Sequence, residues 1–291
     1  MIKKIAAGVL LLVILLCGCN NSTQSPQIAA TTMPVYCFTA RLCENTDLRV
    51  TPLITENVSC LHDYTLQVSQ MRIIEETEHI VISGAGLEEF LEDTLHGKSV
   101  IDASAGIKLL EGCHHDHEEG HSHSHAEDPH IWLSPENAKL MAQNICRELS
   151  REYPRYAPTL EANLSALLAE LDALQAYGES QLASLACREI ITFHDGFSYL
   201  AHSFDLTILE ALEEESGSEA SAKELIGLIG LVREHELPAI FTEKNGSVSA
   251  AAILSSETGA AVYELDMAMA GEDYFEAMYR NIDTLKEALA P

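Results

Sequence analysis

The chain has 291 residues, with 45 Asp and Glu against 17 Lys and Arg, and its formal net charge is −28. This negative charge disfavours binding to nucleic acid and to anionic membrane surfaces, and it raises the local concentration of cations. The length is enough for two domains.

The N-terminal segment predicts export and membrane attachment. Two lysines precede an apolar run at residues 5–16, which is short for a membrane span and typical of a secretory signal. The following Cys-Gly-Cys resembles a bacterial lipobox, so we expect cleavage after residues 1–18 and lipidation of Cys19. Residues 19–27 are a polar tether. An uncleaved anchor helix is the alternative, and both place the globular part outside the cytoplasm, on the bacterial cell membrane.

Short apolar segments then alternate with amphipathic ones. The segments QIAATT, LRVTPLIT, HIVISG and SVIDAS predict four strands, with helices expected near residues 34–44, 66–78 and 86–96. Another helix is expected after Ser134, a residue type that favours helix N-termini. Alternating strands and helices predict an α/β fold with parallel sheets flanked by helices.

Residues 158–186 predict one unusually long helix, because strong helix formers combine with a regular apolar spacing. The alternation then resumes, with strands EIITFH, LTILEAL, AIFTE and AVYELD and helices near residues 220–236, 247–259 and 271–289. The sequence therefore predicts an α/β lobe at residues 28–157, a rigid linker helix, and a second α/β lobe at residues 187–291.

Four candidate metal ligands follow strands in this scheme, two in each lobe. His62 and His130 come after the second and fourth strands, His194 ends the fifth, and Asp266 ends the last. Open α/β sheets bind ligands beyond the carboxyl ends of their strands, so the four would meet in the cleft between the lobes. Three imidazoles and a carboxylate suit a closed, four-coordinate Zn²⁺ site.

A second, different metal-binding segment precedes His130. Residues 113–128 are strongly polar and rich in imidazoles, which are common metal ligands, so this loop is expected to bind metal as well. Its histidines are His114, His115, His117, His121, His123 and His125.

Several segments resemble the ZnuA/TroA-like family (cluster A-I) of metal-binding lipoproteins that serve ABC importers. LHDYTLQVSQ, DPHIWLSPENAKLMAQNI and TFHDGFSYLAHSFDL are similar to the segments that carry the family's three histidine ligands. ETGAAVYELDMAM is similar to the segment with a carboxylate ligand, and ISGAGLEEFL and YFEAMYRNIDTLKEAL match the Gly-rich turn and the closing helix. The resemblance implies two lobes joined by a long helix, with the metal held between them by His62, His130, His194 and Asp266.

The resemblance also implies a function. We expect an extracytoplasmic, monomeric receptor that is not an enzyme and that delivers Zn²⁺ to the permease of an ABC importer. The His-rich loop would collect zinc at low affinity near the cleft. His194 favours zinc, because manganese-binding relatives typically carry Glu there and Mn²⁺ prefers oxygen ligands. Asp195 is expected to support an imidazole without binding the metal itself.

Two departures from the family pattern leave the fourth ligand open between Asp266, a water and Cys60. Leu61 stands where some zinc-binding relatives carry Glu, and Met267 stands where the family usually has Pro. The pairing of the cysteines also stays open; they are Cys37, Cys43, Cys60, Cys113, Cys146 and Cys187, of which Cys146 is expected to be a core thiol.

Three other functions remain compatible with the sequence: a manganese or iron receptor of the same family, a zinc-dependent surface hydrolase, and a zinc buffer or adhesin without a transporter. A hydrolase would need an open metal position and a general base. The remaining histidines match no ligand position and are expected at the surface or at helix ends: His79, His96, His202 and His235.

Overall fold

The computed structural model describes residues 27–56, 61, 64–111, 127–212, 220–244, 246, 248–269, 271 and 273–291. Several features predicted from sequence lie outside these residues: the export segment with Cys19, the candidate ligands His62 and Cys60, and the His-rich loop with Cys113. Within the described ranges, no helix has both the length and the apolar character that crossing a membrane requires.

The first lobe is a four-stranded parallel sheet in the order β2-β1-β3-β4. Its centre, β1, has no exposed residue, because helices cover both faces of such a sheet. The strands are β1 Ile28–Ala30, β2 Val50–Pro52, β3 His79–Ile82 and β4 Ser99–Asp102. The helices are α1 Met33–Leu42, α2 Val68–Glu76, α3 Glu92–Leu95 and α4 Pro135–Glu152, with 3₁₀ turns at Glu89–Leu91, Ile131–Leu133 and Pro154–Tyr156.

The second lobe repeats this plan, with a four-stranded parallel sheet in the order β6-β5-β7-β8. The strands are β5 Glu189–Thr192, β6 Thr207–Ala211, β7 Ala239–Glu243 and β8 Ala261–Leu265. The helices are α6 Ser198–Ser203, α7 Ala222–Glu234, α8 Ser249–Thr258 and α9 Tyr274–Leu289. The predicted α/β fold class, with two parallel sheets and a long helix between the lobes, is confirmed.

The long helix, α5, runs over Ala157–Gln181 and so ends five residues before the predicted residue 186. Leucine and alanine favour helix beyond Gln181, but tertiary contacts override that propensity. The backbone N–H of Ala186 donates to the carbonyl of Leu289, 2.9 Å away, and the Arg188 guanidinium donates to the carbonyl of Leu182 at the helix end. The chain therefore leaves the helix early in order to pair with the end of α9.

Helix α5 packs against α1 and α4 of the first lobe and against α9 of the second. Its buried leucines join one apolar core that contains residues of both lobes: Leu160, Leu167, Leu171 and Leu174. At Gly178 a Cβ atom would overlap the Phe204 ring, so only glycine allows this close approach. The lobes are thus connected by packed side chains as well as by the chain itself.

Two expectations about individual side chains have different outcomes. Cys146 is buried in the core, as predicted. The surface position predicted for His79 is wrong, because His79 is buried in β3, where its Nδ1 lies 2.9 Å from Ser99 Oγ and its ring packs edge-on against Tyr153. The cysteines that the described residues contain are free thiols: Cys37, Cys43, Cys146 and Cys187.

Candidate metal centre

His130 lies immediately before the 3₁₀ turn that leads into α4, and its side chain is buried. Asp128 Oδ1 lies 2.8 Å from His130 Nδ1 and also accepts from the His130 backbone N–H at 2.8 Å. This carboxylate favours the tautomer with the proton on Nδ1, which leaves the lone pair on Nε2 available. Among the described residues, the buried Nε2 has no hydrogen-bond partner, so the ring is oriented to bind something at that atom.

The position of Asp128 depends on the second lobe. Tyr199, on α6, donates its hydroxyl proton to the Asp128 backbone carbonyl at 3.0 Å and accepts from the Leu110 N–H at 2.9 Å. Burial raises the pKa of the Tyr199 phenol to about 12, so this hydroxyl stays protonated and keeps donating. Glu111 and Glu127 form an isolated antiparallel bridge beside these contacts. The segment that carries His130 is therefore anchored across the lobe boundary.

His194 follows β5 and faces His130, with the two ring centroids 5.2 Å apart and the rings nearly perpendicular. Its Nδ1 lies 3.5 Å from Oε2 of Glu243, the last residue of the neighbouring strand β7. Burial, and secondarily the charge of Asp266, raises the pKa of the Glu243 carboxyl to about 8. A carboxyl group therefore lies opposite Nδ1 of each imidazole, although Glu243 is farther from its ring than Asp128 is.

The space next to His194 is limited by Gly196. A Cβ atom at that position would lie 2.6 Å from His194 Cδ2, 2.9 Å from His194 Nε2 and 2.6 Å from Met267 Cε. These distances are shorter than real Cβ contacts, so the glycine allows the imidazole, the turn and Met267 to share one small volume.

Asp266 follows β8, as predicted, but its carboxylate is paired with cations. Oδ2 lies 2.8 Å from Lys244 Nζ and 3.7 Å from an Arg280 guanidinium nitrogen. Oδ1 accepts from the backbone N–H of Ala268 at 2.8 Å, and the Asn281 amide bonds to both the backbone N–H and the carbonyl of Asp266. The aspartate is therefore held firmly, and one of its oxygens faces two positive charges.

The lobes meet at a hydrogen bond between the two ligand-bearing segments. The indole N–H of Trp132 donates to the carbonyl of Met267 at 2.7 Å, and the Tyr274 hydroxyl donates to the carbonyl of Trp132 at 2.8 Å. A backbone bond from Met33 to Met269 lies along the same boundary. Through these contacts the segments of His130 and Asp266 are connected directly.

Of the four predicted ligands, the structure brings His130 and His194 together, places Asp266 in the same region against Lys244, and leaves His62 outside the described residues. In the part of the chain that is described, no three His, Cys, Asp or Glu side chains converge as a metal site. Asp195 is partly exposed in the turn after β5, and its supporting role stays a prediction.

Sequence reasoning did not assign the carboxyl groups that face the two imidazoles. Asp128 could have been paired with His130 from the sequence, because it stands only two residues before it. Glu243 lies near a sheet edge and could be considered only as a general base in the hydrolase alternative. Nothing in the sequence pairs it with His194, because it lies 49 residues away and meets His194 only through the pairing of β5 with β7. The order of the strands in the sheet decides which side chains face each other across neighbouring parallel strands. A single sequence does not reveal that order.

Comparison with known proteins identifies the family of the chain. The family model for the periplasmic component A of zinc-uptake complexes, ZnuA, matches residues 28–288. The chain is 32% identical over 295 residues to the zinc-binding lipoprotein AdcA of Streptococcus pneumoniae, an alignment that covers 94% of this chain and 58% of AdcA.

Solved structures with a similar fold include ZnuA and FpvC. The crystal structure of ZnuA has a TM-score of 0.80 and 30% identity, with 91% of this chain and 99% of that chain covered. FpvC of Pseudomonas aeruginosa in complex with Ni²⁺ has a TM-score of 0.77 and 26% identity, with 90% and 96% covered. The chain therefore belongs to the ZnuA family of metal-binding receptor components of ABC importers.

Proposed function

We propose that this protein is an extracytoplasmic zinc receptor that binds one Zn²⁺ tightly between its lobes and delivers it to the permease of an ABC importer. The observation that carries the proposal is the pair His130 and His194, whose rings come from different lobes and face each other at 5.2 Å. Asp128 bonds to Nδ1 of His130 at 2.8 Å, an arrangement that orients metal-binding imidazoles, and Glu243 lies opposite Nδ1 of His194 at 3.5 Å. His62 and Asp266 would complete the four-coordinate site.

The donor set favours zinc. Imidazole nitrogens suit Zn²⁺, whereas Mn²⁺ prefers oxygen ligands. The name of AdcA specifies zinc, while FpvC was solved with Ni²⁺, so a receptor for manganese, iron or another transition metal is the second candidate. Zn²⁺ binds more tightly than Mn²⁺ or Fe²⁺ at most protein sites, so the metal that the protein carries in the cell separates the two candidates better than competition in solution. Protein purified under native conditions should contain zinc, and manganese or iron as the bound metal would favour the second candidate.

The direct test removes the imidazoles one at a time. Replacing His62, His130 or His194 with Ala leaves at most three protein donors, so zinc affinity should fall at least tenfold in each variant. The exposed histidine His202 supplies the matched control, because His202→Ala should bind zinc like the unmodified protein. Trp132 gives the readout. It is the single tryptophan of the chain, and its ring centroid lies 5.4 Å from that of His130, so zinc titration should change its fluorescence. Unchanged affinity in all three alanine variants would contradict the site.

We also propose that Cys19 carries a lipid anchor and that the His-rich loop collects zinc at low affinity. Residues 114–125 contain no apolar side chain, so we expect metal binding there to bear the cost of ordering the chain and to compete with several protons. Binding to these imidazoles should therefore be weaker and more pH-dependent than binding in the cleft. Deleting residues 114–125 should lower the zinc stoichiometry and keep the tightest site, as measured by titration calorimetry. Loss of the tightest site would show that the loop supplies a cleft ligand.

An enzyme is the rival class, and one feature of the sequence favours testing it. Residues 117–121 read HEEGH, which matches the H-E-x-x-H pattern of zinc peptidases. That pattern functions on a helix, where two imidazoles one turn apart bind the metal, and residues 117–121 lie outside the described residues. We expect no peptide or ester hydrolysis above that of a zinc-free control. Turnover that disappears in His117→Ala would contradict the receptor function.

A zinc buffer or adhesin without a transporter would have the same cleft. Cells that lack this protein should grow poorly only when zinc is scarce, and they should recover when zinc is added. Unchanged ⁶⁵Zn uptake in such cells would favour the buffer or adhesin.

A further inference from the structure

We propose that Lys244 is a tethered cation that competes with the metal for Asp266 and thereby sets the affinity and the release rate of the cleft site. This inference rests on the proposed function, because it takes Asp266 as a metal ligand. It starts from the ion pair in which Lys244 Nζ lies 2.8 Å from Asp266 Oδ2.

The two oxygens of Asp266 have different roles. Oδ1 accepts a 2.8 Å hydrogen bond from the backbone N–H of Ala268, so local structure already engages it. Oδ2 faces Lys244 and, at 3.7 Å, Arg280, so it is the oxygen that interacts with cations. The carboxylate is only 9% exposed, which limits solvent screening of charges beside it. A divalent ion on Oδ2 would strongly repel the Lys244 ammonium, so the ammonium must leave as the metal arrives.

The structure shows which partner can move. Asp266 is fixed by the paired hydrogen bonds between its backbone and the Asn281 side chain, at 2.8 and 2.7 Å. Lys244 is 28% exposed and carries its charge on a flexible four-carbon stem, which can place the ammonium in water at little cost. The carboxylate therefore stays in place while its counter-ion is exchanged.

The backbone holds Lys244 close to the site in both states. Its N–H donates to the carbonyl of Leu265 at 2.8 Å, which continues the pairing of β7 with β8 beyond the last residue of β7. Lys244 directly follows Glu243, which faces His194, and Leu265 directly precedes Asp266. The ammonium therefore remains within reach of Asp266 after it is displaced. It can rebind when the metal leaves, which lowers the barrier to release.

The experiment compares Lys244→Met with the unmodified protein by zinc competition titration and stopped-flow chelator exchange. Removing the competitor should tighten zinc binding about tenfold, the scale of one charge-assisted hydrogen bond, and should slow dissociation similarly. Lys244→Arg keeps the competing charge and should show much less tightening. Lys139→Met is the matched control, because Lys139 bridges Glu136 and Asp172 on exposed surface, each at 2.7 Å, and its loss changes the net charge equally.

A double-mutant cycle isolates the mechanism. In an Asp266→Asn background the effect of Lys244→Met should vanish, because the carboxylate for which the ammonium competes is gone. Zinc binding by Lys244→Met that is unchanged or weaker would overturn the inference. So would an equal gain in zinc affinity when Lys244→Met is made in the Asp266→Asn background, or an equal gain in Lys139→Met. If His130→Ala also left zinc affinity unchanged, the proposed cleft site itself would be wrong. A loss in His130→Ala with no effect of Lys244→Met rejects only the role of Lys244.

Discussion

The indole N–H of Trp132 donates a 2.7 Å hydrogen bond to the carbonyl of Met267 and so joins the segment of His130 to the segment of Asp266. Both side chains are buried at the boundary between the lobes. The bond therefore fixes the relative position of a histidine from one lobe and a carboxylate from the other.

Trp132→Phe should reduce both stability and metal affinity, because it keeps an aromatic ring but leaves the buried Met267 carbonyl without its donor. An unsatisfied buried polar group costs about 1–3 kcal/mol, and the free energy of unfolding measured in urea should fall by that amount. Zinc affinity measured by chelator competition should also fall. Wild-type values for both quantities would show that this bond does not hold the lobes in register.

Asp128→Asn should weaken zinc binding without unfolding the protein. The amide keeps much of the shape of the carboxylate but loses the charge that stabilises the Nδ1–H tautomer of His130, a change that typically costs about 10- to 100-fold in metal affinity. Glu127→Gln is the matched control, since it removes the same charge one residue away from an exposed side chain. Equal zinc affinities of the two variants would show that Asp128 does not orient the imidazole.

Gly196→Ala should displace the His194 ring, because the added Cβ would lie 2.6 Å from its Cδ2 and 2.9 Å from its Nε2. We expect at least tenfold weaker zinc binding, by analogy with the loss of a residue that positions a ligand. Gly227→Ala, within α7, is the control: its Cβ would meet no atom within 4 Å, and alanine should stabilise that helix by about 0.5–1 kcal/mol. Zinc affinity as high in Gly196→Ala as in this control would contradict the crowding argument.

The buried carboxyl group of Glu88 should cause the free energy of unfolding to fall as pH rises. It is buried and accepts hydrogen bonds from Thr31, Ser83 and Gly84, but burial outweighs them and raises the pKa of its carboxyl from 4.5 to about 7. Between pH 4.5 and 7 the folded state therefore holds a proton that the unfolded state has lost. The contribution of Glu88 to the free energy of unfolding is then largest below pH 4.5 and decreases up to about pH 7.

Urea denaturation of the metal-free protein at several pH values would measure this contribution. Glu88→Gln should remove it and flatten the profile between pH 4.5 and 7. It should also lower stability overall, because an amide has only one acceptor oxygen and its NH₂ group would face one of the Ser83 and Gly84 N–H donors. The exposed Glu89→Gln is the control and should keep the slope of the unmodified protein. An unchanged slope in Glu88→Gln would contradict the raised pKa.

The sequence by itself determined the strands, the fold class and the neighbourhood of the site. The prediction of a strand at AIFTE coincides with Ala239–Glu243, because a short apolar run bounded by polar residues leaves little choice of register. His194 could be placed at the end of a strand for the same reason. Helix α6 was missed, since six residues are too few to display a helical period.

Only the tertiary structure decided how the side chains of the site are paired. Three features depend on contacts between residues that are distant in sequence or lie on different strands. They are the end of α5 at Gln181, the position of the Glu243 carboxyl group opposite His194, and the ion pair of Asp266 with Lys244. Local periodicity reports which residues share a strand or a helix face. It does not report which charged group on a neighbouring strand will face a given carboxylate, because that depends on the order in which the parallel strands assemble.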